Sequence, residues 1–182
     1  MENNSDKTCI ITEWNALEGA KAGLARGDKR FIIDRRSEHN ERGGDVSYND
    51  KLTDLMALSF LADMETEARI ESDAETVYIV SGIRKSYYDF LMEIDGRKEQ
   101  GPEGDAGRLA LPYEEGARFS VLSWEERSEG VSVAGADPEL TDAVLTHSYP
   151  VHTGFSFTPG KDAVIAVRRG RLLVIVERNC CK

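Results

Sequence analysis

Hydrophobic residues in the first half of the chain recur at helical spacing. The spacing predicts helices over residues 13–26, 50–70 and 83–94. Glycines follow the first and third segments at Gly27 and Gly96, where a residue that tolerates the left-handed backbone conformation can end a helix. The first half of the chain is therefore predicted to be rich in helix.

The segment 50–70 is apolar around much of its circumference. Met56, Phe60 and Met64 form an i, i+4 row, and Leu58 and Leu61 widen the apolar surface. A helix of this kind is usually covered on more than one side. We expect these side chains to pack in the core; the alternative is a methionine and aromatic stripe that lines a ligand cavity.

Runs of β-branched and aromatic residues predict strands in both halves of the chain. They lie at residues 9–11, 31–33, 77–80, 119–124, 131–133 and 155–157. The segment 119–124 is expected to pair with 131–133 across a charged turn. A short helix is expected from Asp137 to Thr146, because Asp is a favourable N-cap residue and Pro138 suits the first helical position.

Two nearly continuous apolar runs, residues 163–167 and 172–176, flank the sequence Arg168-Arg169-Gly170-Arg171. Gly170 suits the positive φ of a tight turn, so the two runs predict a hairpin. Strands without polar alternation are expected to be covered on both faces. We therefore place this hairpin in the centre of a sheet.

Together these elements predict one α+β domain over residues 8–182, after a disordered segment 1–7. A chain of 182 residues is long enough to bury a single core. The predicted domain is α-rich over 8–96 and β-rich over 108–178. Its sheet is expected to be largely antiparallel, with the central C-terminal hairpin packed against two or three helices.

The formal net charge is −10, from 33 acidic and 23 basic residues. An acidic surface repels the phosphate backbone, which argues against general nucleic-acid binding and favours a protein partner with a basic surface. Residues 161–182 differ from the rest, because this segment carries six basic and two acidic residues. We expect its arginines to pair with carboxylates elsewhere in the chain; an anion site is the alternative.

The three cysteines, Cys9, Cys180 and Cys181, lie at the two ends of the sequence. An odd number in this arrangement is not a disulfide framework. The first residues lack the pattern of a signal peptide, and no apolar stretch is long enough for a membrane span. We therefore predict a cytoplasmic protein that does not associate with membranes. The role of the Cys180-Cys181 pair is left open between a passive tail and a lipidation signal.

Candidate chemistry rests on a few histidines and basic residues. His147 and His152 are candidate catalytic residues, but they lack a third ligand for a metal, so neither a metal nor a cofactor is predicted. Arg84 and Lys85 follow a turn of small residues between a strand and a helix, where backbone N–H groups can hold a phosphate. Arg169 and Arg171 are the other candidate ligand-binding residues, at the turn between the two apolar runs.

The motifs of nucleophilic and phosphate-binding enzymes are absent from the sequence: G-x-S-x-G, Walker A and G-x-G-x-x-G do not occur. This absence and the acidic charge favour a non-catalytic role, as a small binding protein of the immunity, inhibitor or anti-defence type that acts through protein–protein contact. The alternative is an enzyme or small-ligand-binding domain. It would act on a nucleotide or another phosphate-bearing substrate through the His147–His152 loop and the Arg168–Arg171 turn. The charged segment 34–45, which follows the apolar run 31–33, is expected to be a loop that meets this site.

Overall fold

The structure, a computed structural model, describes residues 7–12, 15–36, 48–64, 66–82, 107–148 and 154–177, without the side chains of residues 48–50. Several sequence predictions fall outside these residues. They are the helix over 83–94, nearly all of the segment 1–7, and the residues Arg84, Lys85, His152, Cys180 and Cys181.

The described residues form twelve strands and two helices. In chain order they are β1 (Thr8–Ile11), α1 (Ala16–Ala25), β2 (Arg30–Asp34), α2 (Tyr48–Asp63), β3 (Glu67–Glu71), β4 (Glu75–Ser81), β5 (Gly107–Leu111), β6 (Arg118–Ser123), β7 (Arg127–Ala134), β8 (Ala136–Asp137), β9 (Leu140–Thr146), β10 (Phe155–Phe157), β11 (Ala163–Val167) and β12 (Arg171–Glu177). Neither of these two helices is long and apolar enough to cross a membrane.

The strands form two sheets. Hydrogen bonds order one sheet of eight strands as β1-β2-β3-β4-β12-β6-β10-β8 and a second sheet of four strands as β5-β11-β7-β9. The larger sheet is mixed, because β1, β2 and β3 run parallel while β3 and β4 are antiparallel. The prediction of an α+β fold with a largely antiparallel sheet and two or three packed helices is therefore wrong: the structure is mostly β, with a large mixed sheet.

The chain folds into two compact units. The first unit comprises Met1–Ile79 and Ile175–Lys182, and the second comprises Val80–Val174. The parallel strands and both helices belong to the first unit, and the four-stranded sheet belongs to the second.

In the first unit, α1 connects β1 to β2 and α2 connects β2 to β3. Parallel neighbours require such crossover connections, and helices usually supply them. α1 begins after Asn15, whose side-chain Oδ1 accepts a hydrogen bond from the backbone N of Glu18 at 3.3 Å. Its buried side is made of Ala16, Ala20 and Gly23, so the helix can lie close to β1 and β2, which it contacts.

The buried face of α2 differs from the predicted one. Ala57, Leu58 and Leu61 are buried, as an amphipathic helix requires, whereas Met56 and Met64 of the predicted stripe are exposed. α2 also ends at Asp63, before the predicted end at residue 70. Residues 67–71 form β3 instead, because this segment pairs in register with β2 along its whole length.

The hairpin predicted from the two apolar runs does not form. The runs 163–167 and 172–176 are strands, but β11 pairs with β5 and β7 of the smaller sheet, whereas β12 lies between β4 and β6 of the larger one. Each is an interior strand of its sheet, and its apolar residues alternate between buried and half-buried positions. Gly170, between them, has a φ of +93° and lies close to Ser128 rather than in a two-strand turn.

Two further predictions in the second unit are wrong. β6 and β7 lie in different sheets and do not pair with one another. The segment from Asp137 to Thr146 forms β8 and β9 instead of a helix. Its helix-start signals are local, whereas β9 is held by antiparallel pairing with β7 from Arg127 to Val133.

Candidate ligand site at the carboxyl ends of the parallel strands

The carboxyl ends of β1, β2 and β3 lie at one edge of the sheet, because these strands run parallel. Ile11 of β1 is paired with Ile33 of β2, and Asp34 of β2 is paired with Glu71 of β3. The backbone N of Arg35, just beyond β2, donates to Glu71 O at 2.7 Å. In open α/β sheets, ligands bind outside the carboxyl ends of parallel strands. This edge is therefore the candidate ligand site of the first unit.

Arg35 connects this edge to α2. Its Nε and Nη2 atoms donate to the two carboxylate oxygens of Asp54 at 2.8 Å and 2.7 Å. Its Nη1 atom donates to Asp34 O at 3.0 Å and to Ile11 O at 3.4 Å. One guanidinium thus joins the ends of β1 and β2 to a buried carboxylate of the helix.

Arg36 makes a second bidentate pair, with Asp34. Its Nε donates to Oδ1 at 3.0 Å, its Nη2 donates to Oδ2 at 2.6 Å, and its backbone N also donates to Oδ1 at 3.1 Å. Its Nη1 lies 3.7 Å from Glu71 Oε2. Arg69 Nε donates to Glu71 Oε1 at 2.6 Å, so Glu71 lies between two arginines.

We name these three arginines and three carboxylates the edge cluster: Asp34, Arg35, Arg36, Asp54, Arg69 and Glu71. Its carboxylates are the more deeply buried groups. Side-chain exposure is 1% for Asp34, 3% for Asp54, 12% for Glu71, 12% for Arg35, 30% for Arg36 and 41% for Arg69. Solvent therefore reaches each arginine side chain more readily than the carboxylate with which it is paired.

The edge cluster is electrically balanced and its hydrogen bonding is satisfied. In the part of the chain that the structure describes, every buried side-chain nitrogen or oxygen atom has a hydrogen-bond partner. A bidentate carboxylate fixes the plane of a guanidinium, and a fixed guanidinium is well suited to bind phosphate oxygens. The arrangement can therefore orient arginines toward an anionic ligand.

A separate polar contact of the first unit involves the half-buried Cys9. Arg26 Nη2 donates to Cys9 Sγ at 3.3 Å and to Asp28 Oδ2 at 2.9 Å. The hydrogen bond with Asp28 raises the pKa of the Arg26 guanidinium above its ordinary value. Arg26 therefore keeps its positive charge beside the thiol at all physiological pH values.

Two of the candidate site residues predicted from sequence, His147 and Arg171, lie in the second unit. Arg171 is paired with Glu125, and the backbone N of the exposed His147 donates to Glu126 O at 3.1 Å. Both residues thus lie beside the turn between β6 and β7. The assignment of His147 and Arg171 to a catalytic or ligand-binding role stays a prediction.

The other arginines of the Arg168–Arg171 turn are also paired. Arg168 Nη2 lies 2.8 Å from Asp142 Oδ1, and Arg169 Nη1 lies 3.9 Å from Glu129 Oε2. The expectation that arginines of this segment pair with carboxylates is confirmed for Arg168, Arg169 and Arg171. The role of Arg169 in ligand binding stays a prediction as well.

Asp34, Arg35 and Arg36 belong to the segment 34–45 that the sequence analysis placed at the alternative site, whereas Asp54, Arg69 and Glu71 were not candidates. The sequence carries two signals for the edge cluster. Asp34-Arg35-Arg36 places three charges directly after a buried strand, and Asp54 interrupts the apolar side of a helix. Buried charges are usually paired, so such positions merit attention. Their convergence depends on parallel pairing of β2 with β3, which the sequence pattern did not predict.

No protein-family model and no curated protein matches the sequence. Solved structures do match the fold. Thiamine pyrophosphokinase from Bacillus subtilis has a TM-score of 0.63 at 11% identity, covering 87% of this chain and 60% of its own. Thiamin pyrophosphokinase from Geobacillus thermodenitrificans has a TM-score of 0.61 at 10% identity, covering 100% and 65%. The yeast enzyme has a TM-score of 0.52 at 8% identity, covering 81% and 39%.

These similarities establish a shared fold. The chain spans 60% and 65% of the length of the two bacterial structures. The prediction of an inhibitor or antagonist acting through protein–protein contact is wrong, because the structures with this fold are enzymes by name. The alternative, an enzyme or a domain for a phosphate-bearing ligand, agrees better with the fold.

Proposed function

We propose that this chain binds a phosphate-bearing small molecule at the edge cluster and acts on it as an enzyme of the pyrophosphoryl-transfer class. The observation that supports the proposal most strongly is the fold shared with thiamine pyrophosphokinases at TM-scores of 0.63 and 0.61. The position of the edge cluster, where ligands bind in parallel sheets, supports the same conclusion.

The proposed ligand contacts are the two more exposed guanidinium groups of the edge cluster. Arg36 and Arg69 face a phosphate group in this proposal, whereas Arg35 holds α2 against the ends of β1 and β2. Asp34, Asp54 and Glu71 orient the three arginines. Fixed guanidinium groups stabilise the negative charge that a transferring phosphoryl group carries, and they do so without reorganising during the reaction.

A thermal-unfolding screen tests ligand binding. Inorganic pyrophosphate, a nucleoside triphosphate, thiamine and thiamine diphosphate would each be added to the full chain. A ligand that binds only the folded protein must raise Tm, by an amount that grows with its concentration. We expect at least one of the phosphate-bearing compounds to raise Tm, and thiamine alone to have the smaller effect.

Two variants show whether the edge cluster is responsible. Arg36→Lys keeps the positive charge but loses the planar fork, so we expect a smaller Tm shift with the ligand. Arg118→Gln removes a charge from the exposed first residue of β6 and is expected to leave the shift unchanged. A shift that is lost in Arg118→Gln and retained in Arg36→Lys would contradict the proposed site.

Catalysis requires a separate assay. The full chain would be incubated with thiamine and a nucleoside triphosphate, and thiamine diphosphate would be measured by chromatography. Formation of thiamine diphosphate that depends on intact Arg36 would support the enzymatic part of the proposal. Ligand binding without product from thiamine would limit the proposal to another acceptor or to binding alone.

A further inference from the structure

Enzymes that transfer phosphoryl groups commonly use Mg²⁺, which they hold with one or two carboxylates and with phosphate oxygens of the substrate. The buried carboxylates of the edge cluster are Asp34 at the end of β2, Glu71 at the end of β3 and Asp54 on α2, and Asp34 and Asp54 are the most deeply buried. These are the side chains that a metal at this edge would require. Their present partners therefore decide whether a metal fits.

Asp34 and Asp54 do not fit a metal in this structure, because each carboxylate already binds one guanidinium through both of its oxygens. Mg²⁺ requires near-octahedral oxygen ligands at about 2.0–2.1 Å. Its entry would displace a guanidinium and leave that positive group beside the cation. Across the described ranges, no group of three His, Cys, Asp or Glu side chains is arranged to hold a metal ion.

The relative burial of arginines and carboxylates also argues against a metal at this edge. In both bidentate pairs the carboxylate is the inner group, and the arginine has the larger exposed fraction. Arg69 is likewise more exposed than Glu71, its partner. A ligand that approaches from solvent therefore meets arginine side chains before carboxylates, which favours an anion over a cation.

We propose that the arginines of the edge cluster take the place of a divalent cation, so that this chain binds its phosphate-bearing ligand without metal. The inference rests on the proposed function and specifies its site. Arg36 and Arg69 donate hydrogen bonds to the phosphate oxygens, and Asp34 and Glu71 fix their position. Mg²⁺ added to the solution then lowers the affinity, because it complexes the free ligand and reduces its negative charge.

Isothermal titration of inorganic pyrophosphate into the full chain tests this directly. One titration contains excess EDTA and the other contains excess MgCl₂. We expect Kd in EDTA to be equal to or lower than Kd in MgCl₂. An increase in Kd of about tenfold or more on metal removal, equivalent to about 1.4 kcal/mol, would overturn the inference while leaving the proposed function intact.

Matched variants and a second measurement keep the two proposals distinguishable. Arg36→Lys should weaken pyrophosphate binding in EDTA, whereas Arg118→Gln should not. Mn²⁺ binding to the protein alone, followed by paramagnetic water relaxation, decides the metal question even if pyrophosphate fails to bind. We expect the wild-type chain and Asp34→Asn to bind Mn²⁺ equally weakly. A Mn²⁺ site that is present in the wild type and lost in Asp34→Asn would overturn the inference.

Discussion

The pair of Arg35 and Asp54 shows how a buried charge is retained in this fold. Transfer of either group out of water is unfavourable by several kcal/mol, and mutual attraction offsets this cost only with good geometry and further hydrogen bonds. Both conditions are met, because the contact is bidentate and Arg35 also donates to two backbone carbonyls. Removal of either partner therefore leaves the other charge buried without this bidentate contact.

This dependence predicts non-additive effects on stability. Asp54→Ala leaves the Arg35 charge buried without this partner and should lower the free energy of unfolding by about 3–5 kcal/mol. The double variant Arg35→Met/Asp54→Leu removes both charges and should be less destabilised than Asp54→Ala alone. Urea denaturation of the wild type and the variants measures both effects. A double variant that is as destabilised as Asp54→Ala, or more so, would contradict the proposed coupling.

An exposed pair provides the control. Lys21 and Glu18 lie one turn apart on α1, with their charged atoms 2.9 Å apart and both side chains more than half exposed. Because solvent screens such a pair, Lys21→Ala should change the free energy of unfolding by about 0.5 kcal/mol or less. Comparing the losses in free energy of unfolding for Lys21→Ala and Asp54→Ala shows whether the loss depends on burial of the ion pair.

The residue-level chemistry of the edge cluster could be predicted only in part. The segment that begins at Asp34 was assigned to a loop, and Arg35 and Arg36 do lie beyond β2, whereas Asp34 is the last residue of that strand. Nothing in the local pattern showed that Glu71 would lie beside Asp34, since β3 was assigned to the end of a helix. Arg69 and Glu71 were therefore missed through one error in secondary structure.

At the scale of elements, α1 approaches the sheet through small residues. A Cβ atom added at Gly23 would overlap Phe31 Cε1 and lie 3.1 Å from Cys9 Sγ. Alanine is the better helix former by about 1 kcal/mol, but overpacking a core costs about 1–3 kcal/mol. Gly23→Ala should therefore be net destabilising.

Thermal or urea unfolding of Gly23→Ala measures the outcome. Gly154 offers a matched control, because a Cβ atom there meets nothing within 4 Å and its φ is not positive. Gly154→Ala should leave stability unchanged or slightly improved. A Gly23→Ala protein more stable than the wild type would show that α1 lies farther from Phe31 than the structure places it.

The connection between β11 and β12 gives a second test. Gly170 has a φ of +93°, and an added Cβ atom would lie 2.8 Å from Ser128 Oγ and 2.9 Å from Arg127 O. Gly160 also has a positive φ, +72°, but a Cβ atom there has open space. Gly160→Ala should cost about 1–2 kcal/mol through backbone strain alone.

Gly170→Ala should cost more than Gly160→Ala, because crowding adds to the same strain. Equal losses in urea unfolding would indicate an open hairpin turn, in which Gly170 has no close neighbour. Such a result would favour the arrangement predicted from sequence over the one observed, with β11 and β12 in different sheets.

Strand positions were easier to predict than strand partners. Apolar runs correctly located β11 and β12, because every apolar residue of these strands is buried or half-buried. The same pattern does not specify which sheet a strand joins. β9 was missed for the opposite reason, since Asp137-Pro138 gives a strong local helix signal while antiparallel pairing with β7 determines the structure.

At the scale of the whole molecule, the fold is shared with structures that are only 8–11% identical. Composition could not reveal this, because net charge reports on solubility and association rather than on fold. The acidic charge led to the prediction of an inhibitor, which the fold contradicts. The basic protein partner and the cytoplasmic location remain predictions.

We propose that the phosphate-bearing ligand binds at the edge cluster and not at the Arg168–Arg171 turn. The most direct test is isothermal titration of inorganic pyrophosphate into Arg36→Gln and Arg169→Gln, which remove the same charge from the two places. We expect Arg36→Gln to raise Kd by about tenfold or more and Arg169→Gln to leave it within about twofold of the wild-type value. A large loss in Arg169→Gln with unchanged binding in Arg36→Gln would contradict the account.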